Sequence, residues 1–188
     1  FSEIDFSRES EIDLIDQYKE LLTSSVNIRL RSDVKVGNTL SGGLDSSSIA
    51  ALAHQVTDGN FFNYSIISNN KDVSEESYVD SLIKNNHINV KKINFDQSNP
   101  WAQLDDVIWH HDEPILSLST IAHFQMLKKI KEESEITVVL SGQGGDESLA
   151  GYNKYFFFNI RDLISNGKYF EAIKEMAALA PRIGSEFK

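Results

Sequence analysis

With 188 residues, 40% of them hydrophobic, the chain can bury a substantial core in a single domain spanning 1–188 without staples. A net charge of −10 excludes a general affinity for phosphodiester backbones, and the lack of cysteine excludes disulfides, thiolate metal sites and cysteine nucleophiles. No apolar run approaches the roughly 18 residues of a membrane span and the amino terminus is acidic, so a cytoplasmic protein engaging neither nucleic acid nor membrane is expected.

Between residues 9 and 31 the apolar residues Ile12, Leu14, Ile15, Tyr18, Leu21, Leu22, Val26, Ile28 and Leu30 recur mostly at three and four, which predicts a helix. Residues 33–40 are β-branched and run into glycines, and 46–56 are apolar-rich, so strand, tight loop and helix follow. The alternation repeats with a strand at 61–67, a helix at 75–86 and a strand at 88–95. Between the first two of these, the cluster Ser68-Asn69-Asn70-Lys71-Asp72 reads as an exposed turn. Helices are predicted at 100–110 and 119–133, then an apolar strand at 136–140. Beyond Tyr152, residues 156–164 and 169–179 read as helices with no strand between them. The fold class predicted is α/β, a parallel sheet flanked by helices. Ligands of such sheets gather at the carboxyl ends of the strands, so the loops after residues 40 and 140 should face one crevice.

The first of these loops is Ser41-Gly42-Gly43-Leu44-Asp45-Ser46-Ser47. Its glycines let an anion approach the main chain, the amides opening the next helix point at that anion, and Ser41, Ser46 and Ser47 can add hydroxyl donors. Asp45 would repel a bare phosphate, so a divalent cation such as Mg²⁺ is expected between them. A capped strand-to-helix turn uses similar residues, but seven of them in this order favour a pyrophosphate cradle. No Gly-Lys-Ser/Thr occurs, so the loop is not of the kinase type.

The second loop runs Ser141-Gly142-Gln143-Gly144-Gly145-Asp146-Glu147-Ser148-Leu149-Ala150-Gly151-Tyr152, with Asp112-Glu113-Pro114 ahead of it. With these motifs the chain resembles the synthetase domain of asparagine synthetase B-type enzymes. The resemblance implies a fold like the adenine nucleotide α-hydrolases, a PP-loop ATP pyrophosphatase. It implies ATP cleaved between its α and β phosphates, and an acyl-adenylate of a small carboxylic acid, aspartate, attacked by ammonia from a glutaminase domain. By position, Asp45 and Asp146 are the implied catalytic, magnesium-binding carboxylates. Thr39, Leu40, Ile66, Ser141 and Gly142 join Ser41, Gly42, Gly43, Asp45, Ser46 and Ser47 as implied nucleotide-binding positions. Gln143, Gly144 and Glu147 fall at the implied acid-binding positions, and a homodimer is a candidate assembly of the full protein.

Plainer roles compete at several positions. Asp146 and Glu147 also suit an acidic first helical turn, and Asp112-Glu113-Pro114 suits a helix end before proline. His110 and His111 diverge by about 100° on a helix, which favours packing or surface roles over shared metal ligation. Phe156-Phe157-Phe158 suits a core or an interface. The pattern also departs from the resemblance: Gln143 stands where many asparagine synthetases carry glutamate, and no cysteine is present for glutamine hydrolysis. The chain begins at Phe1 and stops after a helical pattern, so a piece lacking the glutaminase domain and the carboxyl-terminal end is expected. Three readings stay open: an asparagine-forming synthetase, a relative forming another amide or a lactam, and a nucleotide-binding module without catalysis. Pyrophosphate-loop enzymes making GMP, NAD or argininosuccinate share the first loop but lack the second.

Overall fold

A computed structural model of the chain describes residues 10–68, 74–95 and 99–186. Of the exposed-turn cluster, residues 69–72 lie outside the described residues. Two compact units form, 1–142 and 143–188.

The first unit opens with α1, Glu11–Arg29, whose start is set by a capping box. Ser10 Oγ accepts the Asp13 N–H at 3.2 Å, and the Asp13 carboxylate accepts the Ser10 N–H at 3.3 Å. Four parallel strands follow: β1 (Lys35–Thr39), β2 (Phe62–Ile67), β3 (Asn89–Asn94) and β4 (Ile136–Leu140), in the order β3-β2-β1-β4. The chain winds outward from β1 through β2 to β3, then returns to place β4 on the other side of β1. The order therefore reverses between β1 and β4. Such a switch point opens a crevice at the strands' carboxyl ends, because the two flanking connections leave in opposite directions.

Strand side chains alternate between the two faces, and the core divides accordingly. Leu40 and Val90 face α2 (Leu44–Val56) and α3 (Glu76–Asn86), packing with Ala50, Val79 and Ile88. On the other face Tyr64, Ile66, Ile93 and Val139 pack against Met126 and Ile130 of α5, Leu118–Glu133. A third cluster of Val26, Ala53 and Phe61 fixes α1 to α2. Each fully buried Val, Leu or Ile contributes about 1.5–3 kcal/mol, so these clusters are what hold helices of such mixed polarity to the sheet.

The helix expected at 100–110 is divided. A 3₁₀ turn, Pro100–Gln103, leads into α4, Leu104–His111, with proline in the first turn, where its missing N–H costs nothing. The α4 helix ends ahead of Pro114, as the plainer reading required. Asp112 takes the left-handed conformation (φ 55°), and its N–H donates to Ile108 O at 2.9 Å. The His110 ring packs against Phe124, centroids 5.2 Å apart, with Nδ1 2.7 Å from Asp106 O.

The second unit is helical: α6 (Gly145–Leu149), α7 (Asn153–Ser165) and α8 (Tyr169–Glu186). The last continues past the periodic pattern that ends at Leu179. Gly167, at φ 75°, turns the chain between α7 and α8. Phe156 is half-buried, whereas Phe157 and Phe158 are largely exposed. Among the described residues no helix is long and apolar enough to cross a membrane.

Candidate functional site

The loop after β1 is built by its own hydroxyls. Ser46, buried in the first turn of α2, is the hub. Its Oγ accepts the Ser41 N–H at 3.2 Å, lies 2.9 Å from Ser41 Oγ and donates to Gly43 O at 3.3 Å. Ser41 Oγ in turn accepts the Gly43 N–H at 3.3 Å. These bonds fold the loop back on the helix start. They also engage the hydroxyl hydrogens of Ser41 and Ser46, which the sequence offered as donors to a ligand. Ser47 Oγ is different: it is buried and has no hydrogen-bond partner among the described residues. A buried hydroxyl without a partner is costly.

The donors left at the helix start are main-chain amides. In a helix starting at Leu44 the N–H groups of Leu44, Asp45 and Ser46 have no intrahelical acceptor, and the helix dipole adds partial positive charge there. Gly42 and Gly43 bring the chain to this row without a Cβ in the way. Gly42 sits at φ 87°, and a Cβ there would stand 2.8 Å from Tyr78 Cβ on α3. The α3 start that forms this wall is held in turn by Lys92, which bridges Asp80 at 2.6 Å and Glu76 at 2.7 Å. Hydrogen bonds to those two carboxylates hold the Lys92 ammonium above its ordinary pKa.

The end of β4 meets the same helix start. A Cβ on Gly142 would lie 2.7 Å from the Ser46 nitrogen and 3.1 Å from Asp45 Cβ, so main chain from the second glycine loop lies directly on the first. Thr39 Oγ1 donates to Leu140 O at 3.3 Å and ties the two strand ends. The other strand residues divide. Ile66 lies on the α5 face of the sheet, half-buried beside Tyr64. Leu40 turns its side chain into the α2–α3 core, 2% exposed, and its N–H donates to Tyr64 O, so its side chain is packing. A cavity of about 530 Å³ lies elsewhere, at the amino ends of β1 and β4, lined by Lys35, Phe62, Tyr64, Lys91 and Ile136.

Asp45 is half-buried in the first turn of α2, and its carboxylate makes no hydrogen bond or ion pair among the described residues. Such a hard, unengaged oxygen donor fits Mg²⁺. No group of three His, Cys, Asp or Glu side chains capable of holding a metal is present among the described residues.

In the second unit Gly144, at φ 94°, caps α6, and Asp146 and Glu147 occupy its first turn, as the plainer reading expected. Gln143 and Gly144 are exposed ahead of it. The Asp146 carboxylate fills the space that a Cβ on Gly151 would occupy. The Tyr152 hydroxyl donates to Glu147 Oε1 at 2.9 Å, and this bond, with some desolvation and the nearby negative charge, raises the phenol above its ordinary pKa. A raised folded-state value means that the bond's stabilisation is fully present below the unfolded phenol's pKa, about 10, and is lost as pH rises through the folded one. The ultraviolet titration of the wild type, minus that of Tyr152→Phe, should show Tyr152 ionising later than exposed tyrosines; early ionisation would remove the clamp.

A parallel sheet with a glycine loop at its switch point defines an open-sheet α/β protein. The chain matches the Asparagine synthase family over residues 17–182 and belongs to it. It is similar to asparagine synthetase 1 (glutamine-hydrolyzing) of Bacillus subtilis strain 168, 32% identical over 143 residues, 76% of this chain and 22% of that one. It is also similar to amidase chyE of Penicillium rubens, 32% identical over 161 residues, 78% of this chain and 24% of that one. The chain thus spans a third or less of the length of these curated relatives. Among solved structures, an NH3-dependent NAD synthetase from Campylobacter jejuni aligns with a TM-score of 0.48 at 17% identity, covering 73% of this chain and 60% of that one.

Sequence reasoning missed Asn38 and Asn63, which lie fully buried beside the loop. The one signal available was an asparagine inside each of two strands, where asparagine is depleted.

Proposed function

We propose that this chain binds ATP with Mg²⁺ and serves an amide-forming ligase that activates a carboxylic acid as its adenylate. Aspartate is the acid, asparagine the product, and a glutaminase domain outside these 188 residues supplies ammonia. The observation that carries the reading is the meeting of the two glycine loops at the switch point, with Gly142 on the Ser46 amide that opens α2.

The amides that open α2 grip the β and γ phosphates as a single leaving group. The α phosphorus is then left to the acid. A carboxylate oxygen of the acid bonds to it, the bridging bond between α phosphorus and pyrophosphate breaks, and pyrophosphate departs. Ammonia next bonds to the acyl carbon, the acyl–oxygen bond to AMP breaks, and ammonia's surplus proton is lost. Asp45 and Asp146 are the carboxylates assigned to Mg²⁺ by their places in the two loop motifs. The ion would offset charge on the departing pyrophosphate. No lysine stands between Val36 and His54 to serve a γ-phosphoryl transfer.

Phosphorus NMR of the full-length protein with ATP, Mg²⁺, ammonia and a panel of acids tests this, and AMP with pyrophosphate is the expected product pair. Stoichiometric ADP and phosphate would overturn the adenylate. For the chain itself, Asp45→Asn is expected to weaken Mg·ATP binding by about tenfold or more, roughly 1.4 kcal/mol, chiefly by reducing its dependence on Mg²⁺. Calorimetric titration with and without Mg²⁺ checks it. An unchanged metal dependence would take Asp45 out of the site.

A second reading, amidation or lactam formation on another acid, is favoured by Gln143. A neutral amide there can only hydrogen-bond an ammonium group that a carboxylate would pair with. The 32% identity to amidase chyE equals that to the Bacillus synthetase, so likeness does not rank the acids. Turnover with a panel member other than aspartate would select this reading.

A further inference from the structure

Behind the glycine loop a row of side-chain amides, those of Asn38 and Asn63 buried, crosses the sheet. Asn38 and Asn63 are opposed residues of β1 and β2, both 0% exposed. Asn38 Nδ2 donates to Asn63 Oδ1 at 3.0 Å and also reaches Ser46 O, at 3.5 Å, in the first turn of α2. Asn63 Nδ2 donates to Asn89 O at 3.1 Å, and Asn89 Nδ2 donates to Gly59 O at 2.9 Å. The row thus runs from the loop helix across β1 and β2 to β3. It is expensive to keep. It lies on the face where Val36, Leu40, Ala50 and Ala53 form apolar clusters, and Asn38 Oδ1 is buried with no hydrogen-bond partner among the described residues. A pair of apolar side chains of similar shape would avoid that cost, since replacing both partners of a buried hydrogen bond is often neutral or stabilising.

What the amide supplies, and an apolar residue cannot, is its reach to Ser46. Ser46 Oγ organises Ser41 and Gly43, and its own carbonyl is the group that Asn38 approaches. We propose that Asn38 is a positioning residue: its buried amide couples β2 to the Ser46 carbonyl and so sets the first turn of α2, whose amides the phosphates would meet. The coupling to α2 follows from the geometry alone; its consequence for nucleotide rests on the function proposed above.

Three variants of the 188-residue chain separate this role from simple packing. Asn63→Val breaks the same side-chain pair as Asn38→Val but leaves Asn38 facing Ser46 O, and the double variant removes both amides. Urea unfolding, amide hydrogen exchange at Ser47 and Ser48 in the nucleotide-free protein, and Mg·ATP titration are measured on each. The double variant is expected to regain most of the stability lost by either single one. Even so, both Asn38 variants should exchange the α2 amides about tenfold faster and bind Mg·ATP about tenfold more weakly, whereas Asn63→Val should stay near wild type in both. Equal effects from Asn63→Val and Asn38→Val, or a double variant with wild-type exchange, would overturn the positioning role. A wild type that exchanges as expected but binds no Mg·ATP would refute the nucleotide reading while leaving the coupling decided by exchange.

Discussion

Gly142→Ala is expected to lower the affinity for Mg·ATP by about 10- to 100-fold while leaving a folded protein. The added Cβ would stand 2.7 Å from the Ser46 nitrogen, 3.1 Å from Ser46 Cα and 3.1 Å from Asp45 Cβ. None of these is the far end of a flexible side chain, so either the β4 loop retreats or the first turn of α2 shifts. Overpacking of this kind costs about 1–3 kcal/mol, little enough for the sheet to survive. The larger consequence falls on the amide row. A hydrogen bond to a charged group contributes about 1.5–3 kcal/mol, so misplacing one donor accounts for the expected range at about 1.4 kcal/mol per tenfold. Calorimetric titration beside urea unfolding checks it. Gly43→Ala is the comparison, because a Cβ there would meet only Ser41 Oγ, at 3.4 Å, and should leave stability nearly unchanged. Wild-type affinity and stability in Gly142→Ala would remove the β4 loop from the site.

Gly42→Ala should instead show its effect in stability, a loss of about 2–5 kcal/mol. Two costs add. At φ 87° a Cβ is opposed by its own carbonyl, at about 1–2 kcal/mol, and it would also press on Tyr78 Cβ at 2.8 Å, at about 1–3 kcal/mol. The α3 wall cannot retreat freely, because Val79 behind Tyr78 is fully buried and Lys92 pins the helix through Glu76 and Asp80. A shift of the urea midpoint at constant slope measures the loss. A change below about 1 kcal/mol would mean that the loop moves off α3 at little cost.

Most element positions were legible because their signals are local. The apolar recurrence before residue 31 specified α1, the βα alternation specified three strands and two helices, and the apolar run at 136–140 coincides with β4. Boundaries moved where capping decided them: α2 begins at Leu44 rather than 46, since Gly43 can serve as its cap. Two features escaped local reasoning. The 3₁₀ turn at Pro100–Gln103 looks like the first turn of one helix, and the five-residue α6, signalled only by its acidic first turn, is too short to show a period that would fix its extent. At the site, residue types pointed to the loop and to Asp45, but not to which hydroxyls the loop uses internally. That depends on rotamers closing a ring among Ser41, Gly43 and Ser46.

By itself the sequence determined that a glycine loop joins a strand to a helix, that a second glycine loop follows a later strand, and that the sheet is parallel. Those properties rest on backbone freedom at glycine, hydrophobic period and short connections, all set within a few residues. Only the tertiary structure decided that β4 lies beside β1, which puts Gly142 on Ser46 and ties Thr39 to Leu140 across 101 residues of chain. It decided also that Leu40 belongs to the core and that Asn38 and Asn63 are buried rather than exposed. Burial and strand partners arise from contacts between distant segments, where the loss of water from a whole face outweighs the preference of any one residue.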